Sequence, residues 1–225
     1  MVIPTLNEAP RLPRLLQDLT ALTVEHQIIV ADGGSSDGTI EVAVARGCSV
    51  VSADPGRGRQ LRAGIAGASG DWLLVLHADV RLSREALQEV ETAMRRPEVQ
   101  AAAWPLAIPL EGIWFRGMER AAQLRWSLLG LAYGDQGLLL RRSLYEATGG
   151  YPDSRIMEDV ALARRIGRVA RIERFHHTIL VDPRRWTREG RVVGAMRNTA
   201  LLLLFLSGVE PDRLARWYQP EPGAR

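Results

Sequence analysis

The 225-residue chain contains no lysine: all 29 of its basic residues are arginine. That removes lysine nucleophiles and Schiff bases from the available chemistry. Any phosphate contact from a basic side chain must come from a planar guanidinium fork. There is one cysteine, Cys48, so disulfide frameworks, thiolate metal clusters and paired-thiol redox motifs are excluded within one chain. The neighbouring Val50-Val51 predicts a buried strand thiol, which fits a reducing compartment. Long hydrophobic runs are missing too. The longest, Ala200 to Leu206, falls far short of the ~20 residues that span a bilayer. The first residues carry no basic leader with an apolar core behind it. The arginines are scattered rather than clustered, which argues against a nucleic-acid partner. The expectation is a cytoplasmic protein without a membrane span.

What is present fits an ordinary globular domain: 46% hydrophobic and 24% charged residues, with a formal charge of +3 that leans mildly towards anionic partners. One domain is the simplest organisation for this length. The first half alternates strand and helix signals. Val2-Ile3 opens a strand. Leu12, Leu15, Leu16, Leu19 and Leu22 recur three and four apart, as one helix face requires. His26–Ala31 and Trp72–Leu76 read as buried strands and Ser49–Ser52 as a strand; Thr39–Arg46, Gln60–Ala68 and Arg84–Arg95 read as helices, the last capped by Ser83. Such alternation predicts right-handed crossovers and an α/β fold with a mainly parallel sheet. After Pro97 the pattern loosens. Ala101–Pro109 reads as one strand placed at an edge or bulge by Pro105, Gly112–Leu131 as a long helix and Gly137–Leu140 as a short strand. Met157–Ile166 is helical, Val169–Val181 holds one or two strands, and helices follow near Val192–Leu206 and Pro211–Tyr218.

Ligands of open parallel sheets bind outside the carboxyl ends of the strands. Here those ends are polar: Pro4-Thr5-Leu6-Asn7-Glu8, then Asp32-Gly33-Gly34-Ser35-Ser36-Asp37-Gly38-Thr39, then His77-Ala78-Asp79. These segments, with Gly134-Asp135-Gln136-Gly137, Glu158-Asp159 and Arg184-Arg185-Trp186, resemble the family 2 inverting glycosyltransferases, in particular a short, soluble bacterial subgroup. The likeness runs over nearly the whole chain. It implies a single GT-A domain, the nucleotide-diphospho-sugar transferase fold, with a mainly parallel central sheet flanked by helices. A nucleotide-binding half would span residues 1–96, a donor-sugar and acceptor half 97–186, and C-terminal helices 187–225. The family normally has a few more residues before its first strand, so a start upstream of Met1 is expected.

The resemblance implies transfer of a sugar from a UDP- or GDP-linked donor to a hydroxyl acceptor, a lipid or a small molecule, with inversion. The nucleotide site would use Pro4, Thr5, Asn7, Glu8, Asp32, Gly34, Arg59, Ala78 and Asp79. A carboxylate such as Asp32 suits the imide N–H of uracil. Asp79, with His77 in place of the family's first aspartate, would hold Mg2+ or Mn2+ at the diphosphate; an imidazole ligand shifts preference towards Mn2+. A late histidine completes the metal shell in related folds. Neighbours on a strand face opposite sides, so at most one of His176 and His177 serves; the sequence leaves the choice open, with His177 carried as the candidate. Asp159 would be the general base and Glu158 its orienting partner. Gly134, Asp135, Gln136, Arg185 and Trp186 would border donor sugar and acceptor.

Plainer readings stand beside these. Asp37 and the glycines suit a tight turn, and Glu158-Asp159 suits the positive end of a helix. Gly56-Arg57-Gly58-Arg59-Gln60 is no dinucleotide fingerprint, because it lacks the third glycine and does not follow the first strand. Ile113, Trp114, Phe115, Met118, Trp126, Leu128 and Leu129, interleaved with Arg116, Arg120 and Arg125, fit peripheral membrane contact, core packing or a homodimer interface. The competing functions are a sugar nucleotidyltransferase and a non-catalytic nucleotide-sugar-binding scaffold.

Overall fold

A computed structural model of the chain describes residues 1–184 and 191–217. Four short parallel strands form one side of a seven-stranded sheet: β1 (Val2–Thr5), β2 (Ile29–Asp32), β3 (Ser49–Ser52) and β4 (Trp72–Val75). Between them run α1 (Leu12–Leu19), α2 (Thr39–Ala45) and α3 (Arg57–Ala66). β1, β2 and β4 are largely apolar because helices cover both faces, whereas edge strand β3 stays partly exposed, and the residues sort by alternation. Ile3, Val30, Leu74 and Leu76 join one core with Leu12, Leu15, Leu16 and Leu19 of α1. Val2, Ala31, Leu73 and Val75 join a second core with Leu61 and Ile65 of α3. Each fully buried aliphatic side chain of this kind contributes about 1.5–3 kcal/mol. Helix α3 sits close to the sheet at Gly64, where a Cβ would lie 2.5 Å from the Val2 side chain. Cys48 is buried just ahead of β3, and burial pushes its thiol pKa up.

Beyond β4 come β5 (Val80–Arg81), α4 (Arg84–Arg95), β6 (Ala101–Ala103), β7 (Leu106–Ala107), α5 (Ile113–Leu129), a 3-10 turn (Gly134–Gln136), β8 (Leu138–Arg141), α6 (Arg142–Ala147), α7 (Glu158–Ile166), β9 (Ile172–Arg174), β10 (Ile179–Val181), α8 (Arg191–Leu206) and α9 (Pro211–Ala215). The Ser83 side chain caps α4 by accepting from the Ala86 N–H. Strand order in the main sheet is β3-β2-β1-β4-β8-β6-β9, and only β8 runs against the rest. The segments before and after residue 97 therefore share one sheet.

The single strand expected over Ala101–Pro109 is instead two strands in two sheets. β6 lies between β8 and β9, whereas β7 is an outer strand of a small sheet ordered β5-β10-β7. Pro105 stands at the break rather than on an edge, and its carbonyl accepts from the Ile179 N–H. Tyr218, the expected end of the last helix, lies outside the described residues.

Candidate active site at the carboxyl edge of the sheet

The strand order reverses direction at β1, with β2 and β3 to one side and β4 to the other, which makes the gap beyond β1 and β4 the switch-point crevice of this sheet. Pro4 helps to open it. β1 pairs with β2 through all four residues, ending at Thr5 opposite Asp32, but pairs with β4 only at Val2 opposite Val75. The next N–H on the β4 side would belong to residue 4, and proline has none.

Around this edge the loops are tied by polar side chains. Asp32 is 1% exposed. Its carboxylate accepts from the Thr5 hydroxyl at 3.0 Å, the Gly34 and Ser35 N–H groups at 2.8 Å each, and the Ser35 hydroxyl. Asn7 holds the facing loop: its N–H donates to Ser35 Oγ and its Oδ1 accepts from the Ser36 N–H, both at 2.9 Å. Asn7 adopts φ 56, a left-handed conformation asparagine tolerates better than most residues. Gln60, buried beneath Gly33, donates to the Thr5 and Ala31 carbonyls at 2.6 and 3.0 Å. Asp32 thus shapes the Gly34-Ser35 turn with its lone pairs already engaged.

An ionic cluster crosses the crevice. Arg184 Nη2 lies 2.6 Å from Glu8 Oε1 and 3.3 Å from Asp79 Oδ2. Its N–H donates to Asp182 Oδ1 at 2.9 Å, and Arg11 Nε reaches Asp182 Oδ2 at 2.9 Å. Burial raises the Glu8 pKa, with Arg184 pulling the other way. Burial also pushes Asp182 upward, but bonds from Arg184 and Arg11 outweigh it and leave its pKa lowered.

Next along the edge, Gly134 joins two candidate residues. Its N–H donates to Asp159 Oδ2 at 2.7 Å. A Cβ there would lie 2.6 Å from His77 Nε2 and 3.4 Å from Asp159 Oδ2, so His77, Gly134 and Asp159 meet at a point where only glycine fits. Asp159 Oδ1 also accepts from the Val160 N–H, at the positive end of α7. The turn into α7 passes through Met157 at φ 62. Among the described residues Asn7 and Met157 are the only non-glycine residues at positive φ, and both border this edge.

Glu158 is 1% exposed and lies 3.7 Å from Arg57 Nη1. Tyr151 is packed beside it; burial, then the charges of Glu158 and Asp159, raise the tyrosine pKa well above its ordinary value. Tyr133 carries the Arg125 guanidinium over its ring at 3.3 Å, and burial pushes its hydroxyl to about 12.

Not every expected residue joins this group. Gln136 is fully buried, accepting from Arg125 and the Tyr133 N–H and donating to the Trp104 carbonyl. Asp135 remains partly exposed. Arg59 pairs with Asp153 at 2.7 Å, while Arg57 is the arginine that reaches the acidic pair. The His176 and His177 N–H groups are tied to Glu89 on α4, and His177 Nδ1 lies 3.4 Å from the same carboxylate. Among the described residues no three His, Cys, Asp or Glu side chains converge as a metal-holding group, so His177 does not complete a shell with His77 and Asp79. Ala78 is buried beside Asp79. Arg185 and Trp186 lie outside the described residues. Gln60, Arg57 and Tyr133 were not anticipated. The glycine pair flanking Arg57 and the polar Gln60 on an otherwise apolar face of α3 were the available signals.

The architecture is that of a GT-A nucleotide-sugar transferase. A mannosyltransferase from Pyrobaculum calidifontis in complex with GDP-Man and Mn2+ superposes on 95% of this chain and 65% of its own, with a TM-score of 0.65 at 17% identity. Glucosyl-3-phosphoglycerate synthase from Mycobacterium tuberculosis, in complex with Mn2+, UDP and glucosyl-3-phosphoglycerate, matches 93% of this chain and 79% of its own, with a TM-score of 0.61 at 20% identity. The glycosyl transferase family 2 profile matches residues 1–157, and the chain belongs to that family. Curated relatives include an undecaprenyl-phosphate 4-deoxy-4-formamido-L-arabinose transferase of Aeromonas hydrophila, 33% identical over 112 residues and 44% of this chain. Another is a PGL/p-HBAD biosynthesis glycosyltransferase of Mycobacterium bovis, 28% identical over 152 residues and 64% of this chain. The chain spans 34% and 55% of these two proteins.

Proposed function

We propose that this chain transfers a sugar from a nucleoside diphosphate donor, UDP- or GDP-linked, to a hydroxyl acceptor with inversion at the anomeric carbon. The observation that carries the reading is the gathering of His77, Gly134 and Asp159 next to the Glu8–Arg184–Asp79 cluster, on the edge where the strand order reverses. Asp159 takes the acceptor hydroxyl proton as the oxygen forms its bond to the anomeric carbon. The bond from that carbon to the diphosphate breaks, and its electron pair leaves on the β-phosphate oxygen. Placing a carboxylate for this proton transfer accelerates such steps by ~10²–10⁴-fold. Glu158, buried against Arg57 and Tyr151, positions the turn that presents Asp159 rather than meeting the acceptor. The Asn7–Ser35–Asp32 shelf receives the nucleoside, with Asp32 as its organiser. Asp135 borders the sugar. Residues 1–96 supply the nucleotide side and 97–186 the sugar and acceptor side.

The Mn2+ of the two neighbours supports a divalent ion accompanying the diphosphate. Asp79 suits it as a single carboxylate ligand, because Mg2+-type sites commonly combine one or two carboxylates with phosphate oxygens and water. Bound there, the ion would neutralise charge on the leaving diphosphate.

Thermal-shift titration with nucleoside diphosphates and their sugars, with and without Mn2+, tests the donor assignment, since a selective ligand raises the unfolding temperature. Product analysis separates the main alternative. A nucleotidyltransferase releases pyrophosphate, whereas the proposed reaction releases a nucleoside diphosphate.

A further inference from the structure

Far from Asp159, at the opposite end of the same helix, a cavity of about 710 Å³ opens between the end of α5 and the turn leading from α7 into β9. Helix α7 has 9 residues, so the two ends stand roughly 13 Å apart at ~1.5 Å per residue. Trp126 and three arginines line the cavity: Arg168, Arg171 and Arg174. Elsewhere the arginines of this chain commonly pair with acids, as Arg11, Arg59, Arg81, Arg96 and Arg116 do. Those of the cavity do not. Among the described residues the Arg168 and Arg171 guanidinium groups have no hydrogen-bond or ion-pair partner, and Arg174 lies over the Trp126 ring and touches the Gln123 carbonyl. The one acid of the turn, Glu173, is committed to Arg96.

The rim is apolar and exposed. Val169 lines the cavity at 68% exposure, and Leu128 and Leu129, next to the lining residues Ser127 and Gly130, are 72% and 53% exposed. The long helix around them therefore divides: Phe115 and Trp126 face the core, while Leu124, Leu128 and Leu129 face outward. Unpaired guanidinium groups around an aromatic wall suit a phosphate, and outward leucines and a valine beside them suit acyl chains.

We propose that this corner docks on an anionic bilayer, with a lipid phosphate seated among Arg168, Arg171 and Arg174 and Leu128, Leu129 and Val169 entering the interface. This stands independently of the transferase reading.

The test is co-sedimentation of the full chain with vesicles of phosphatidylcholine alone or in equal mixture with phosphatidylglycerol. The protein should partition onto the mixed vesicles only, and less so at high salt. Arg168→Ser with Arg171→Ser should lower that partition about thirtyfold. Leu128→Ser with Leu129→Ser should weaken it while leaving any binding of inorganic phosphate intact. Arg14→Ser with Arg46→Ser removes equal charge from exposed positions on α1 and at the end of α2 and should change it little. Equal loss in that control, or binding to inorganic phosphate with none to the mixed vesicles, would overturn the proposal. Donor binding measured on the same preparations reports separately on the transferase reading.

Discussion

The two halves of the sheet were built by different rules. Through β4 each strand is followed by a helix and then by another strand parallel to it, so short-range periodicity specifies the elements, although the chain passes back across β1 to add β4 on its far side. From 97 to 184 the strands join the main sheet in the order β8-β6-β9 with β8 reversed, and the 2-residue β7 leaves it for the small sheet. Chemistry divides the same way. The first half gives a shelf whose polar atoms are largely satisfied internally, at Asp32, Asn7 and Gln60. The second contributes Asp159 and Arg184, whose charges face that shelf across the crevice. Regular winding thus makes a rigid platform, and irregular additions bring reactive groups to it.

The sharpest way to break that division is Asp159→Asn. Turnover should fall by ~10²–10⁴-fold while donor affinity, read by calorimetry, is unchanged; equal turnover would remove Asp159 as the base. Next is the seam between the halves. A Cβ at Gly58 would lie 2.4 Å from the Pro152 carbonyl and 2.8 Å from that of Ser154. Gly58→Ala should therefore cost about 1–3 kcal/mol in urea unfolding. Gln60→Leu acts within the platform alone. It removes the donor to the Thr5 and Ala31 carbonyls and should cost about 1 kcal/mol, less than the seam.

Acidity probes the cluster across the crevice. The pKa of Asp182 is lower folded than its ordinary 3.8. Its stabilising contribution is accordingly complete above that ordinary value and is lost as pH falls through the lower folded one. The stability difference between wild type and Asp182→Asn should shrink over that acidic window in urea melts. Smallest of all, Arg96→Ala removes exposed pairs with Glu98 and Glu173 and should leave the midpoint of urea unfolding almost unchanged.

The same division governs what was legible in the sequence. Ser49–Ser52 and Arg84–Arg95 coincide with β3 and α4 because a β-branched pair and a serine cap are local signals. Pro105 was misread because a proline between two strands looks, in one dimension, like a proline within one. β5 and β7 exist only through pairing with β10, far along the chain. At the site, the polar strand ends and the Glu158-Asp159 pair were visible as residue types. That Gln136 turns inward to Arg125 and Trp104, that Arg57 rather than Arg59 reaches Glu158, and that His177 joins Glu89 depend on contacts no spacing encodes.

Met157 has a broader consequence. A glycine would accept its backbone angle without steric penalty, yet the chain places there a side chain packed against two hydrophobic clusters. The aim of the adjacent carboxylates is therefore inherited from the grip of oily neighbours on one thioether. At this corner the aim of those carboxylates and thermal robustness are coupled: under the proposed reaction, loosening the grip would lower turnover together with the melting temperature.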